Sequence, residues 1–237
     1  GPVVFTDVRV FDGKSGTLRT GMRVVVQGQK IKAIEPQGNP LPDGALVIAG
    51  GGRTLMPGLI DAHWHAMMAS LPLPVLLSAT EGYLNLRAAE EAERTLMRGF
   101  TTVRDAAGAD FGLQEAVLRG LFEGPRLYIA GFPVCQTGGH ADMRPKGVRT
   151  REMFCSCAGL GLIGAIADGV GEVRRAVREQ VRNGANQIKI MAGGGISSPT
   201  DPLEGTQFSV DELRAACEEA EAANLYVMAH AYSPRAI

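Results

Sequence analysis

The chain lacks an excess of either charge: 24 Lys and Arg stand against 25 Asp and Glu, for a formal net charge of -1. Docking on a nucleic acid or an anionic membrane surface needs clustered Lys and Arg. Neither is expected as a partner, and small molecules are the default. Also missing is any run approaching the roughly 18 uncharged apolar residues that a membrane helix requires, and no charged-then-apolar segment opens the N-terminus. A cytoplasmic location is therefore expected. Cysteine is sparse: Cys135, Cys155, Cys157 and Cys217 show neither paired CxxC spacing nor a regular framework. That pattern indicates neither a zinc ribbon nor a disulfide scaffold, and reduced thiols are expected. Cys155-Ser156-Cys157 by itself makes a poor metal pair, because two further ligands must lie nearby.

What is present suits a globular protein with a substantial core, at 45% hydrophobic and 21% charged residues. Residues 1–56 read as a small β-rich domain. Its strand candidates are Val3 to Phe5, Val8 to Phe11, Met22 to Val26, Ile31 to Ile34 and Leu46 to Ile48, separated by turn formers such as Asp12-Gly13, Gln27-Gly28 and Pro42-Asp43-Gly44. From Pro57 to residue 237 the texture changes to apolar strands alternating with helices, the pattern of βα units around a parallel sheet. The strand candidates here are Leu59 to Ala62, Thr101 to Arg104, Arg126 to Ala130, Gln187 to Met191 and Tyr226 to Ala229. Between them, Val173, Ala176, Val177 and Val181 form one apolar stripe that Asn183-Gly184 stops. Ser209 and Glu212 have the spacing of a capping box ahead of Val210, Leu213, Ala216, Cys217 and Ala220. The fold class expected is α/β, the first five units or so of a (β/α)8 TIM-type barrel, whose chemistry sits at the C-terminal ends of the strands. A whole barrel takes about 250 residues, so later units and the strands completing the small domain are expected from chain beyond residue 237.

The segment richest in chemistry is Met56-Pro57-Gly58-Leu59-Ile60-Asp61-Ala62-His63-Trp64-His65. Residues i and i+2 of a strand share a face, so His63 and His65 can present two imidazoles to one cation. An isolated His-x-His is more often incidental, and the strand ahead of it is what gives this one weight. Lys189 lies in the apolar run Ile188-Lys189-Ile190, where burying an ammonium is costly and lowers its pKa. The neutral amine is then free for other chemistry, unless the lysine head reaches solvent at the strand end. His230 closes an apolar strand, a place where a histidine is more often a hydrogen-bonded core residue than a ligand. Tyr232, two residues on, can point into the same mouth and donate its hydroxyl, or simply pack. Asp61 suits hydrogen-bonded support of the histidines rather than ligation, and Arg104 and Asp105 read as structural. Gly193-Gly194-Gly195 lacks the Lys-Ser/Thr ending of a phosphate-binding loop, so it reads as close backbone approach.

The block at residues 56–65 resembles the metal-binding signature on the first barrel strand of the amidohydrolase superfamily. Gly99 to Asp105, Gln187 to Gly195 and Val227 to Tyr232 look like that superfamily's second, fourth and fifth strands, in order along nearly the whole chain. Thr137-Gly138-Gly139-His140 and Ser197-Ser198-Pro199-Thr200-Asp201-Pro202 suggest its prolidase-like and carboxypeptidase-like, imidazolonepropionase-related branch. The resemblance implies two divalent cations, most often zinc. His63 and His65 would hold one of them and His230 would help hold the second, with Lys189 carboxylated to N6-carboxylysine as the bridge. It implies that His140 faces the substrate, beside the contact that the position of Tyr232 offers, and that a sixth-strand histidine and a proton-shuttling eighth-strand aspartate lie outside these residues. The expected activity is metal-assisted hydrolysis of an amide bond in a dipeptide or N-acyl amino acid. Met67, Met68 and Leu71 to Pro74 would border the pocket and favour a hydrophobic or aromatic acyl group, as in an ochratoxin-like amide. Two rivals stand beside this: a cyclic-amide or imidazolone hydrolase, and a catalytically inactive scaffold on the same barrel. A homo-oligomer is expected, since five strands alone leave edges and apolar faces to cover.

Overall fold

A computed structural model describes residues 1–144, 164–198 and 201–237, and its chain divides into two compact units, Gly1–Gly58 and Leu59–Ile237. Cys155, Cys157, Pro199 and Thr200 lie outside the described residues.

The first unit is a four-stranded sheet of β1 (Val3–Val10), β2 (Arg19–Gln27), β3 (Lys30–Pro36) and β4 (Leu46–Leu55), in the order β3-β2-β1-β4. β1 runs antiparallel to β2 and parallel to β4. The two strand candidates at Val3 to Phe5 and Val8 to Phe11 are one strand, not two. Asp7 takes a φ of 49° and shifts the register there, so a β-bulge imitates a turn in the sequence. Val8, Val10 and Val24 form the core, packed by Phe5, Met22, Val26, Ile34 and Leu55.

The second unit alternates parallel strands with helices: β5 (Leu59–Trp64), α1 (Leu73–Ser78), α2 (Glu81–Met97), β6 (Phe100–Asp105), α3 (Phe111–Leu118), β7 (Arg126–Ile129), β8 (Val134–Cys135), β9 (Ala165–Ile166), α4 (Gly169–Asn183), β10 (Ile188–Met191), α5 (Val210–Ala222) and β11 (Val227–His230). Two all-parallel sheets result, ordered β5-β6-β7 and β11-β10-β8-β9. Asn186 and Gln187, just before β10, stitch them together. Asn186 N donates to Ile129 O (2.8 Å), its Oδ1 accepts from Ile129 N (2.9 Å), and Gln187 Nε2 donates to Tyr128 O (3.2 Å). The five strand candidates thus stand side by side in chain order, as in the first half of a (β/α)8 wall. The third wall strand is broken: after β7 the chain turns at Gly131 (φ 69°) and resumes as β8 against β10.

Helices cover the outer face. Leu84, Ala88 and Ala92 of α2 pack with Leu113 of α3 on Trp64, Val103, Leu127 and Ile129. Val173 and Val177 of α4 and Ala215, Ala216 and Ala220 of α5 pack on Val134, Ile188 and Ile190. α4 ends at Gly184, whose φ of 100° only glycine adopts freely. α5 begins with a formed capping box, Ser209 accepting from Glu212 N while Glu212 receives the Ser209 backbone N–H. Among the described residues no helix is long and apolar enough to cross a membrane.

Candidate metal centre and substrate pocket

Outward burial of every second strand residue turns the intervening ones to the other side. Trp64 is buried in the helix-side core, so His63 and His65 emerge together at the end of β5. Ile188 and Ile190 point into the same kind of core, leaving Lys189 and Met191 for the opposite face of β10. His230 ends β11 level with Met191. All of these side chains line one cavity of about 570 Å³, together with His140, Tyr232, Met68, Leu73, Met143 and Ser197. The sequence expectations for His63, His65, His140, Lys189, His230 and Tyr232 therefore meet in one place.

Two of the strand-end imidazoles, His65 and His230, have one ring nitrogen engaged by the protein. His65 Nδ1 lies 2.9 Å from Ala107 O, and the tautomer that donates there leaves Nε2 as the free lone pair. His230 Nε2 lies 3.2 Å from Gly194 O, which leaves Nδ1. The rings of His63 and His65 meet edge to face with centroids 5.2 Å apart. Burial lowers the pKa of His63, with Lys189 adding repulsion, and that of His65, where the Ala107 bond opposes it. Burial and the neighbouring His140 bring His230 down to about 4. The imidazoles are therefore neutral near pH 7, the form that ligates metal.

Lys189 is 2% exposed, and no group among the described residues accepts a hydrogen bond from its amine. Burial first, and then Arg104, lowers its pKa to about 8, while Asp105 pulls the other way. Among the described residues, no group of three or more His, Cys, Asp or Glu side chains is gathered closely enough to hold a metal ion, and the cavity lining holds no carboxylate. An ammonium at Lys189 beside the neutral imidazoles would repel a cation. The residues fit a divalent pair on one condition, that Lys189 carries an anionic group.

Three residues matter here in ways the sequence did not show. Asp105 is fully buried and accepts from Ala66 N (2.7 Å), Ala107 N (3.0 Å) and Ala109 N (3.1 Å), so it ties the chain after His65 to the loop whose carbonyl holds the His65 ring. Burial pushes this carboxyl up to about 7 against the pull of those three amides. Arg104 donates from Nε to Ala62 O (2.8 Å) and stands over the Tyr226 ring. Gln207 Oε1 accepts from His140 N at 2.9 Å. Asp61 accepts from His63 N at 3.0 Å, in support of the strand end. Met67 is core rather than pocket, whereas Met68 and Leu73 line the cavity. Cys135 is buried under the His140 loop, and burial pushes its thiol up to about 12, which favours the protonated thiol. Cys217 is likewise a free thiol.

Comparison with known proteins places this arrangement. The model of the amidohydrolase family matches residues 54–237, and the chain belongs to that family. It is 37% identical over 201 residues to an ochratoxinase of Aspergillus niger, an alignment covering 77% of this chain and 40% of that protein. The crystal structure of a prolidase complexed with N-methylphosphonate-L-proline superposes with a TM-score of 0.91 at 45% identity, over 100% of this chain and 57% of the other. The crystal structure of the A. niger ochratoxinase superposes at a TM-score of 0.81 and 29% identity, over 99% and 56%. The chain thus spans about half the length of the relatives it matches.

Proposed function

We propose that these residues carry much of the active site of a metal-dependent amide hydrolase whose substrate is a dipeptide or N-acyl amino acid. The observation that carries this reading is Lys189: a buried amine with no acceptor among the described residues, in one cavity with three neutral histidines from two other strand ends. Free amine in equilibrium with carbon dioxide forms a carbamate, which would give the cavity the anion its lining lacks. His63 and His65 would then hold one cation, zinc, and His230 would help hold a second, with the carboxylated Lys189 between them. Divalent cations at such a place supply Lewis acidity, polarising the amide carbonyl and making water acidic enough to attack near neutral pH. The chain's own residues orient the rest. His140 and Tyr232 border the cavity on the His230 side, suited to the polar amino-acid half of a substrate, while Met68, Leu73, Met143 and Met191 offer an apolar wall to a hydrophobic or aromatic acyl group, as in an ochratoxin-like amide. The ochratoxinase and prolidase likenesses support this substrate class over a cyclic amide. The protein is further proposed to act as a homo-oligomer.

The test is to assay the purified protein on N-acyl amino acids, dipeptides and cyclic amides before and after dialysis against a chelator. Release of a free amino acid from the first two, abolished by chelation and restored by added zinc, is the expected result. Turnover of cyclic amides alone, or turnover indifferent to the chelator, would contradict the reading.

A further inference from the structure

His140 is held more tightly than a pocket-edge loop residue needs to be. It lies in the loop after β8, and its side chain is nine-tenths buried. Its backbone N–H donates to Gln207 Oε1 at 2.9 Å. One face of the ring stacks on His230, with centroids 4.1 Å apart and planes at 16°. Gly195 abuts the ring so closely that a Cβ there would sit 2.1 Å from Cε1. The remaining edge, Nδ1, lies 3.4 Å from Asp201 Oδ2, a carboxylate whose side chain is 2% exposed. That oxygen also accepts from Gln207 Nε2 (2.9 Å) and Gly195 N (3.1 Å). His140 Nδ1 and Asp201 Oδ1 are both buried without a hydrogen-bond partner, and the Nδ1 to Oδ2 gap exceeds a full bond by only a few tenths of an ångström.

We propose that Asp201 and Gln207 are positioning residues. Together they hold the His140 imidazole with Nδ1 turned into the protein and Nε2 left to meet the polar, amino-acid half of a substrate in the cavity. This rests on the reading that the cavity binds an amide whose amino-acid half faces His140. The physical reason is one of orientation. Gln207 fixes the His140 backbone and, through its amide N–H, fixes Asp201. The carboxylate, 3.4 Å from Nδ1, then stands ready to accept its N–H, which selects the tautomer and stops the ring from flipping. Stacking on His230 and contact with Gly195 block other rotations, so a ring misplaced by the loss of Asp201 leaves the substrate contact without disturbing His63, His65 or Lys189.

The experiment pairs kinetics with nitrogen NMR of histidine-labelled protein. Wild type is expected to show His140 as a single Nδ1–H tautomer. Asp201→Ala should turn this into a tautomer mixture and raise KM for an N-acyl amino acid about tenfold or more, with kcat within about threefold. Asp201→Asn keeps an oxygen at the Oδ2 position and should recover most of the KM. Gln207→Leu, which leaves Asp201 in place but unties it, should move both readouts in the direction of Asp201→Ala. An unchanged KM and an unchanged His140 tautomer in Asp201→Ala would overturn the proposal, as would a loss confined to kcat. If the wild-type protein hydrolyses no acyl amino acid, the proposed function fails, and the tautomer measurement still decides the positioning role by itself.

Discussion

Between Ile188 and Ile190, whose side chains are fully buried, Lys189 carries an amine whose pKa falls from 10.5 to about 8. Below pH 8 both folded and unfolded chains hold the proton, and the folded state bears the full cost of burying it. Between 8 and 10.5 the unfolded chain holds a proton that the folded chain has shed, so stability rises with pH, and above 10.5 it levels. At 1.36 kcal/mol per pKa unit the cost near neutrality is about 3 kcal/mol. Urea unfolding of metal-free protein should therefore show a stability that climbs from pH 8 toward 10. Lys189→Met should flatten that climb, add up to about 3 kcal/mol at pH 7, and abolish hydrolysis. A variant that is no more stable, or that still hydrolyses substrate, would refute the role given to this lysine. Asp105 behaves differently. All three of its partners are donors, so Asp105→Asn turns an NH2 toward an amide N–H and should cost about 1–3 kcal/mol of stability, read by thermal or urea unfolding. Sequence alone exposed His63, His65, Lys189 and His230, because strand alternation and an ammonium in an apolar run are local signals. It read Asp105 as structural without showing its donors, the backbone of three alanines, and passed over Gln207, which lies 67 positions from the His140 amide it holds.

The elements with strong punctuation are the easiest to read in the sequence. The stripe of α4 ends at Gly184, and the box at Ser209 opens α5, each through chemistry within four residues of the boundary. Ser209→Ala should cost about 1 kcal/mol by leaving the Glu212 N–H without its cap, and Gly184→Ala should cost a similar amount for forcing a side chain into a φ of 100°. Both changes should leave KM unaltered, since neither residue borders the cavity. The two-residue strands β8 and β9 left no trace in the sequence, because two positions cannot show a period of two. The bulge in β1 misled in the opposite direction, since one residue out of register reads as a turn when no partner strand is in view.

On the scale of the whole molecule, the chain spans 40% of the curated ochratoxinase and 57% of the prolidase structure it matches. The strand wall of its second unit leaves Ile60, Tyr128 and Tyr226 exposed. Apolar side chains on a sheet face seek cover, so residues 1–237 purified alone should elute in size-exclusion chromatography above their 25.0 kDa monomer mass. A clean monomer would set the homo-oligomer proposal aside. The central claim is that Lys189 becomes an anionic ligand shared by cations that the strand-end histidines hold. Anomalous diffraction at the zinc edge, from crystals of the protein grown without chelator and with bicarbonate present, tests it most directly. The account predicts two anomalous peaks in the cavity, one beside His63 and His65 and one beside His230, with carboxylate density on Lys189 Nζ between them. A bare amine in a cavity with no anomalous peak would contradict it.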